Sequence, residues 1–482
     1  MPPLADRAVV GLLITVALGL GLGRIIGSEY LYEPSVHRPD GSDIPRPKWA
    51  SPKPEGQPTF GSNDRSRWAA IRALVDEGTF VIGKREVYDD PKTDTGIVFE
   101  PGFQTVDKVL HPERREYFST KPPLLTVLAA GQCWVLKQTL GWRVAEDRWL
   151  VVRAVLITFN LLPFALYLWL LADLSIRLRT GAFTTYFLVA AGAFGGMAWP
   201  FLVTFTNHIP GMVAAMLALW CGVRIGLEQA SAPRWLYAVA GLGAGLAFAC
   251  ELPALSLLAA LFAFLLYLAP GRALALYLPF ALIAPAAQTA ADYIQLGQLT
   301  PTYAQFGTAW YTYPGSHWLP EGQTKPGIDY ARRNGETVGQ YALHLMIGHH
   351  GWFSLMPVWV LSLLGMLVAL GRLSDKDRPQ RILAWAILMT LLISGAVIGF
   401  YLLKSDNYGG WTNGPRWLMW LSPLWLLALL PVVDWLSRRR WGVVLSLSLL
   451  AGSMMSMNYQ SWNPWRHPWI YNWLESQGWP GY

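Results

Sequence analysis

Cysteine is scarce in this sequence: three in 482 residues, Cys133, Cys221 and Cys250, all within apolar stretches and none in the long polar segment near the start. Disulfides are therefore no part of the design. Charge is scarce as well, since Asp, Glu, Lys and Arg make up 14% of the chain against 53% hydrophobic residues, with a mean hydropathy of +0.29. The apolar residues come in long blocks rather than in alternating or amphipathic scatter, which excludes an ordinary soluble domain. The net charge of +7 is divided among short connectors, with no basic patch interleaved with aromatics, so nucleic-acid binding has no support. No internal repeat is evident, which weakens an inverted-repeat transporter. The first block, Val9 to Ile26, is long for a signal peptide and lacks a small-x-small cleavage site, so it reads as an uncleaved helix.

What the chain does have is apolar length. Stretches near 8–27, 149–172, 183–203, 207–227, 235–250, 253–269, 272–292, 352–371, 382–403, 416–434 and 441–457 are each long enough to cross the hydrocarbon core of a bilayer. The expected fold is an all-α polytopic membrane protein of about eleven transmembrane helices. Trp is abundant, at 25 residues, and Trp199, Trp352, Trp417 and Trp441 stand at block ends, where a headgroup layer favours an amphipathic ring. A further stretch, 122–140, is interrupted by Gln132 and Lys137. If it does not cross, Arg7, Arg177, Arg179, Arg224, Arg234, Arg272, Arg372, Lys376, Arg378, Arg381 and Arg438 to Arg440 all fall on one face. That is the cytoplasmic face by the positive-inside rule. The stretch is therefore expected to be re-entrant or interfacial.

The chain divides accordingly into a first helix (1–27), a long extracytoplasmic loop (28–148), a bundle (149–292), a second outer loop (293–351), C-terminal helices (352–457) and a short outer tail (458–482). The first loop opens with a Pro-rich stretch (Pro45, Pro47, Pro52, Pro54, Pro58) that reads as extended. Trp68, Ile71, Leu74 and Val75 then recur at helical spacing up to Gly78, predicting a juxtamembrane helix lying on the membrane surface. Short β-like runs and turns over 79–120 predict a small irregular platform. The Tyr- and Trp-rich segment from Tyr303 to Trp318 is a candidate cover for an acceptor entrance.

Three motifs on the outer face carry candidate chemistry. Asn63-Asp64-Arg65-Ser66-Arg67-Trp68 places Asp64 against the membrane, where a carboxylate can take a proton from a hydroxyl; the competing reading is a helix cap. Lys121, before Pro122-Pro123 and a helix start, is placed to bind phosphate, or to snorkel. In the Gly-rich turn Asn407 to Trp417, Arg416 opposes the positive-inside trend, and a guanidinium that grips phosphate gives a reason for it. Arg65, Asn207, His208, Glu251, His349 and Trp411 are candidate cavity residues, Glu251 because an ionisable group within an apolar region usually has a pairing or functional role. Arg153 shares that trait. His111, His208, His317, His349 and His350 show no standard ligand spacing, so no metal is assigned.

In this layout and order of motifs the chain resembles the GT-C superfamily of glycosyltransferases, in particular bacterial relatives of protein O-mannosyltransferases and of the lipid A aminoarabinose transferase. The family's acidic residue after the first helix corresponds to Asp64, its Lys-Pro-Pro or His-Pro-Pro element to Lys121-Pro122-Pro123, and its late Gly-Pro-Arg-aromatic element to Gly414-Pro415-Arg416-Trp417. The second acid that often follows the first is Arg65 here, and the acid that commonly opens a middle helix is Asn207. The resemblance implies a polyprenyl-phosphate sugar donor, inverting transfer to an acceptor hydroxyl (of protein, lipid or glycan) with Asp64 as base, and Lys121 and Arg416 on the donor phosphate. It also implies a bacterial inner-membrane location with the active site outside, and it leaves a divalent metal as an option. A transporter or lipid flippase is the rival reading, and a scaffold or polymer ligase a weaker third.

Overall fold

The computed structural model describes residues 4–30, 55–318, 336–405, 407–459 and 461–478. Pro45, Pro47, Pro52 and Pro54 of the Pro-rich stretch lie outside them. Among the described residues, seven helices are long and apolar enough to cross a membrane, and four shorter apolar helices accompany them. Together they fall on the eleven stretches read from the sequence. The architecture is helical and polytopic.

The helices run in chain order as α1 (Leu4–Gly27), α2 (Ser62–Arg72), α3 (Pro123–Leu140), α4 (Arg148–Leu156), α5 (Leu162–Arg177), α6 (Ala182–Phe194), α7 (Ala198–Phe201), α8 (His208–Glu228), α9 (Arg234–Cys250) and α10 (Leu255–Leu268). They continue as α11 (Pro270–Arg272), α12 (Leu278–Leu296), α13 (Val338–Met346), α14 (Trp352–Leu355), α15 (Trp359–Leu370), α16 (Arg378–Lys404), α17 (Ser422–Leu436), α18 (Arg440–Tyr459) and α19 (Trp469–Ser476). Two single-turn π segments join α4 to α5 and α11 to α12 without interrupting either rod. Two of the expected spans are broken. The stretch 183–203 stops at Phe194, before Gly195-Gly196, and resumes only as α7. The stretch 352–371 breaks at Met356, whose backbone (φ −129°, ψ 70°) obeys the restriction that Pro357 places on its predecessor.

α8 and α17 form the centre, apolar and buried nearly all round, whereas α1, α10 and α12 turn residues such as Leu12, Leu20, Leu255, Leu266, Leu282 and Ile283 outward. A helix that is apolar all round belongs inside, and a lipid-facing one has no need to hide its apolar side. Small residues set how closely the centre packs. A Cβ on Gly241 or Gly245 of α9 would stand 2.2 Å from the carbonyl of Tyr277 or Ala281, and one on Gly365 of α15 would stand 1.7 Å from that of Ala428. These are close backbone crossings of the small-xxx-small kind, in which van der Waals contact replaces the hydrophobic drive that lipid cannot supply.

The platform between α2 and α3 is more regular than its sequence suggests. Strands β1 (Gly83–Arg85), β2 (Asp94–Thr95), β3 (Lys108–Leu110) and β4 (Glu116–Ser119) make an antiparallel sheet in the order β2-β1-β4-β3. The segment from Trp310 to Trp318 closes over it: Leu110 donates to the Trp310 carbonyl (3.1 Å), and Trp318 Nε1 to the Val106 carbonyl (3.1 Å). α2 does not lie open on a surface as its amphipathic pattern suggests. Asn63, Asp64 and Ser66 to Ile71 are all buried, against α3 and β4, and Gly78 ends the run with φ +66°.

The two ends of the bundle differ. α8 begins at the turn Asn207-His208 and ends, after 21 residues, at Glu228, a rise of about 31 Å. At its far end Glu228 meets Arg177 (3.6 Å) and Arg224 (2.8 Å), and Arg378 donates to the Leu227 carbonyl. Nearby connectors are tied through Arg272 and Asp434. The basic connectors thus gather at one end, and the platform stands at the other.

Candidate functional site at the platform end of the bundle

The site begins at the N-terminus of α2. Asp64, the third residue of that helix, turns its carboxylate back over the helix start: Oδ1 accepts from the backbone N–H of Gly61 (2.7 Å) and Arg65 (3.0 Å), and Oδ2 from that of Phe60 (2.9 Å). This is a cap, because the Phe60 and Gly61 N–H groups precede the helix and find no partner within it, while that of Arg65 is shared with the Gly61 carbonyl (3.0 Å). A carboxylate has about four lone-pair positions, so Oδ2 keeps one for an acceptor. Asp64 is buried (1% exposed). Burial pushes its pKa above the ordinary carboxylate value, against the three N–H donors and the Arg65 charge, which pull it down.

Arg67 lies one turn along and on the same face, whereas Arg65 does not. The Arg67 guanidinium donates to Asn63 Oδ1 (2.5 Å), to the Asn63 carbonyl (3.1 Å) and to Asn207 Oδ1 (2.5 Å), bridging the platform to the start of α8. Asn207 in turn donates to Glu251 Oε1 (2.8 Å) and to the Cys250 carbonyl (2.6 Å). Glu251 Oε1 also lies 2.5 Å from His208 Nδ1, and His208 Nε2 lies 3.4 Å from Arg416 Nη1. A guanidinium can only donate, so Nε2 accepts and the His208 proton sits on Nδ1, facing Glu251. Arg416 is held further by its Nε donating to the Gly409 carbonyl (2.8 Å) and by the Trp465 ring, 4.8 Å from its Cζ. Gly409 and Gly410 adopt φ +104° and +79°, which glycine reaches without strain.

Lys121 arrives by strand register. Lys108 pairs with Ser119 across the β3–β4 ladder, so the next residue outward on each strand, Asp107 and then Thr120-Lys121, meets at its open end. Lys121 Nζ pairs with Asp107 Oδ1 at 3.0 Å. Ser66 of α2 is fastened to this junction through the Asp107 carbonyl and Ser119 Oγ, both at 2.6 Å. α12 steadies it from behind: Gln295 donates to the Ser119 carbonyl, and Gln288 accepts from Leu124 N–H. Burial, with Arg67 and Arg416 nearby, lowers the Lys121 pKa to about 8 against the pull of Asp107. Burial likewise lowers Arg67 to about 10, with Asp107, Glu251 and Asp64 on one side of the balance and Arg416 on the other. Three cations from three remote segments therefore crowd one another, an arrangement that an anion relieves.

The structure thus brings Asp64, Lys121, Asn207, His208, Glu251 and Arg416 to one place. Arg65, His349 and Trp411 are placed elsewhere. Arg65 turns outward, stacked over Tyr30 at 4.8 Å and donating to the Thr59 carbonyl, because it sits a single residue from Asp64 and so faces another side of the helix. Trp411 is 61% exposed and stacks on His467. His349 belongs to a separate cluster with His344, His350 and Tyr408. Arg153 is tied to the Ile26 carbonyl.

Arg67, Asp107 and Trp465 enter the site although nothing singled them out in the sequence. For Arg67 the signal was present, since it lies four residues after Asn63 and three after Asp64. Asp107 depends on strand register and Trp465 on a contact across the whole chain, and neither leaves a local mark. Trp465 presses against Gly61, where a Cβ would lie 2.9 Å from its ring. Among the described residues, the three-ligand group that could hold a metal ion lies outside this site.

No known protein-family profile matches the chain, and no curated protein matches it. Solved structures do align with it. The oligosaccharyltransferase of Archaeoglobus fulgidus, tethered to an acceptor peptide, aligns at 13% identity over 98% of this chain and 57% of its own, with a TM-score of 0.48. The same enzyme, AglB, in complex with an inhibitory peptide and dolichol-phosphate, aligns at 12% identity over 98% and 57%, also with a TM-score of 0.48. ArnT from Cupriavidus metallidurans, bound to undecaprenyl phosphate, aligns at 15% identity over 92% and 63%, again with a TM-score of 0.48. The chain spans less than two thirds of the length of each.

Proposed function

We propose that this chain is a membrane-embedded glycosyltransferase that moves a hexosyl or pentosyl unit from a polyprenyl-phosphate donor to an acceptor hydroxyl. The observation that carries the reading is that Asp64, Lys121 and Arg416 gather around one buried guanidinium, that of Arg67: a carboxylate with one lone pair to spare and crowded cations at the platform end of an apolar bundle. A lipid phosphate has a charged head that wants those cations and a tail that wants the membrane.

In the proposed reaction Asp64 takes the acceptor's hydroxyl proton as its oxygen attacks the anomeric carbon. The bond from that carbon to the phosphate oxygen breaks, and its electron pair leaves with the lipid phosphate. Lys121 and Arg416 stabilise the charge that builds on the leaving phosphate. His208, with its proton turned to Glu251, orients Arg416. Arg67 holds the platform against α8, so the base and the phosphate cations stay in register. A single displacement inverts the anomeric centre. The gathering of basic connectors at the opposite end of α8 supports an extracytoplasmic site in a bacterial inner membrane, with the N-terminus in the cytoplasm.

The test is transfer from a panel of radiolabelled polyprenyl-phosphate sugars by the purified chain in lipid, comparing wild type with Asp64→Ala. Transfer by wild type that vanishes in the variant, with donor still bound, is the expected result. If wild type neither binds nor consumes any donor, the reading fails and transport leads.

A further inference from the structure

A second buried polar cluster lies just beyond the Gly-rich turn that carries Arg416. Glu336 precedes α13, His344 sits in the last turn of that helix, and His349 follows after the chain turns through Gly348. The Glu336 carboxylate and the two imidazoles each offer one ligand atom, all within 4.8 Å of one another. Glu336 is 7% exposed; its Oε2 accepts from the Tyr408 hydroxyl at 2.5 Å, while its Oε1 is buried with no hydrogen-bond partner. His349 is fully buried, and its Nδ1 lies 2.6 Å from His350 Nδ1.

We infer that Glu336, His344 and His349 form a binding site for a Zn²⁺-like transition-metal ion, which ties the start of α13 to the turn after its end and fixes the carboxylate that Tyr408 binds. Two imidazoles and one carboxylate are a donor set for zinc or a similar borderline ion rather than for Mg²⁺ or Ca²⁺, which take oxygen ligands. Ligand atoms around a tetrahedral zinc stand about 3.3 Å apart, so the three need to close by about 1.5 Å at most, and half-buried His344 has room to turn. The surrounding contacts are those a ligand set needs. The Nδ1-to-Nδ1 contact with His350 holds the His349 ring in orientation, and the Tyr408 hydroxyl orients the carboxylate.

The consequence for Arg416, which rests on the function proposed above, follows the chain. Tyr408, stacked on His350, leads into Gly409, whose carbonyl accepts from Arg416 Nε. Tyr341 of α13 also donates to the Asn407 carbonyl (2.7 Å). A metal at Glu336 would hold this turn, and with it Arg416, in place.

The test does not depend on activity. The full chain, stripped with a chelator and held in lipid nanodiscs, is titrated with Zn²⁺ and with Co²⁺, whose visible absorption reports tetrahedral ligation. Wild type is expected to bind about one ion per chain, with tetrahedral Co²⁺ bands and a raised Tm. Glu336→Gln and His344→Gln are expected to lose both effects while keeping the wild-type elution volume and tryptophan fluorescence. His344→Cys keeps a ligand, and is expected to retain Co²⁺ and to gain a thiolate charge-transfer band. Wild type that takes up no Zn²⁺ or Co²⁺, or His344→Gln that binds as well as wild type, overturns the inference. If metal binds as stated but no sugar transfer is found, the function fails and the metal site stands.

Discussion

The two buried polar clusters at the platform end are built on opposite plans. Around Asp64 the groups are charged and of both signs, drawn from α2, the β3–β4 hairpin, the start of α8 and the turn before α17. Around His349 the groups are imidazoles and tyrosines packed ring on ring, some stacked and some edge to face, with Glu336 as their carboxylate. A crowd of cations and carboxylates kept out of water is costly to assemble unless a reaction uses it. Neutral rings cost little to bury and serve to hold. The first plan suits moving a proton and stabilising a leaving anion, and the second suits a brace.

The largest expected effect separates two of the three carboxylates of the first cluster, Asp64 and Asp107. Asp64→Asn should cut kcat by about 10²- to 10⁴-fold, the usual worth of a general base, with donor affinity unchanged. Asp107→Asn should act through Lys121 and show mainly as weaker donor binding. Single-turnover rates and donor titrations on both variants decide it. If Asp107→Asn loses the chemical step and Asp64→Asn keeps it, Asp64 is a helix cap and the base lies across the site. Next in size is Arg416→Ala, expected to cost about 10²- to 10³-fold, as for removal of one donor to a developing anion. His350→Gln in the second cluster, which reaches Arg416 only through Tyr408 and Gly409, should lower the rate at saturating donor by much less. An equal loss in the two variants would dissolve the distinction between a working cluster and a bracing one.

How far these roles could be read from sequence depends on the kind of contact. Asp64, Lys121 and Arg416 stand out in the sequence because each is a charge next to a helix start. The helical stretches are legible from apolar length alone. Arg65 and Arg67 stand two apart in one motif, and helix geometry alone decides which of them faces the site. Asp107 needs the Lys108–Ser119 register, and a one-residue slip would turn it away. Trp465 reaches Gly61 only once the tail folds back over α7, which no local pattern encodes. The histidine cluster spans a helix end, so its spacing matches no helical or hairpin rule.

The pH profile should show a smaller effect with a definite sign. Lys121 binds phosphate as a cation, and in the folded protein its pKa falls from the usual lysine value to about 8. It is charged below that pH and neutral above it, so kcat/KM for donor should fall as pH rises through about 8. Lys121→Arg, which keeps its charge there, should move that limb to higher pH. The acid limb belongs to Asp64. Burial raises its pKa, so the carboxylate is protonated, and the rate lost, at a higher pH than for an ordinary aspartate.

The smallest expected effect is at Arg65, and it tests the boundary of the first cluster. Arg65 adjoins Asp64 in sequence, and its charge opposes the rise in the Asp64 pKa. Its guanidinium nevertheless lies over the Tyr30 ring and binds the Thr59 carbonyl, on the side of α2 away from Lys121 and Arg416. Removing a cation–π contact of this kind costs about 0.5–1 kcal/mol of stability. Arg65→Ala should therefore lower Tm slightly and raise the acid limb a little further, with kcat on the plateau unchanged. Arg67→Ala, two residues on, should break the bridge to Asn207 and lower kcat on the same plateau. Equal kinetic losses in the two would mean that both faces of α2 serve the reaction; loss at Arg67 alone would confine it to the face that Asn63, Asp64 and Arg67 share.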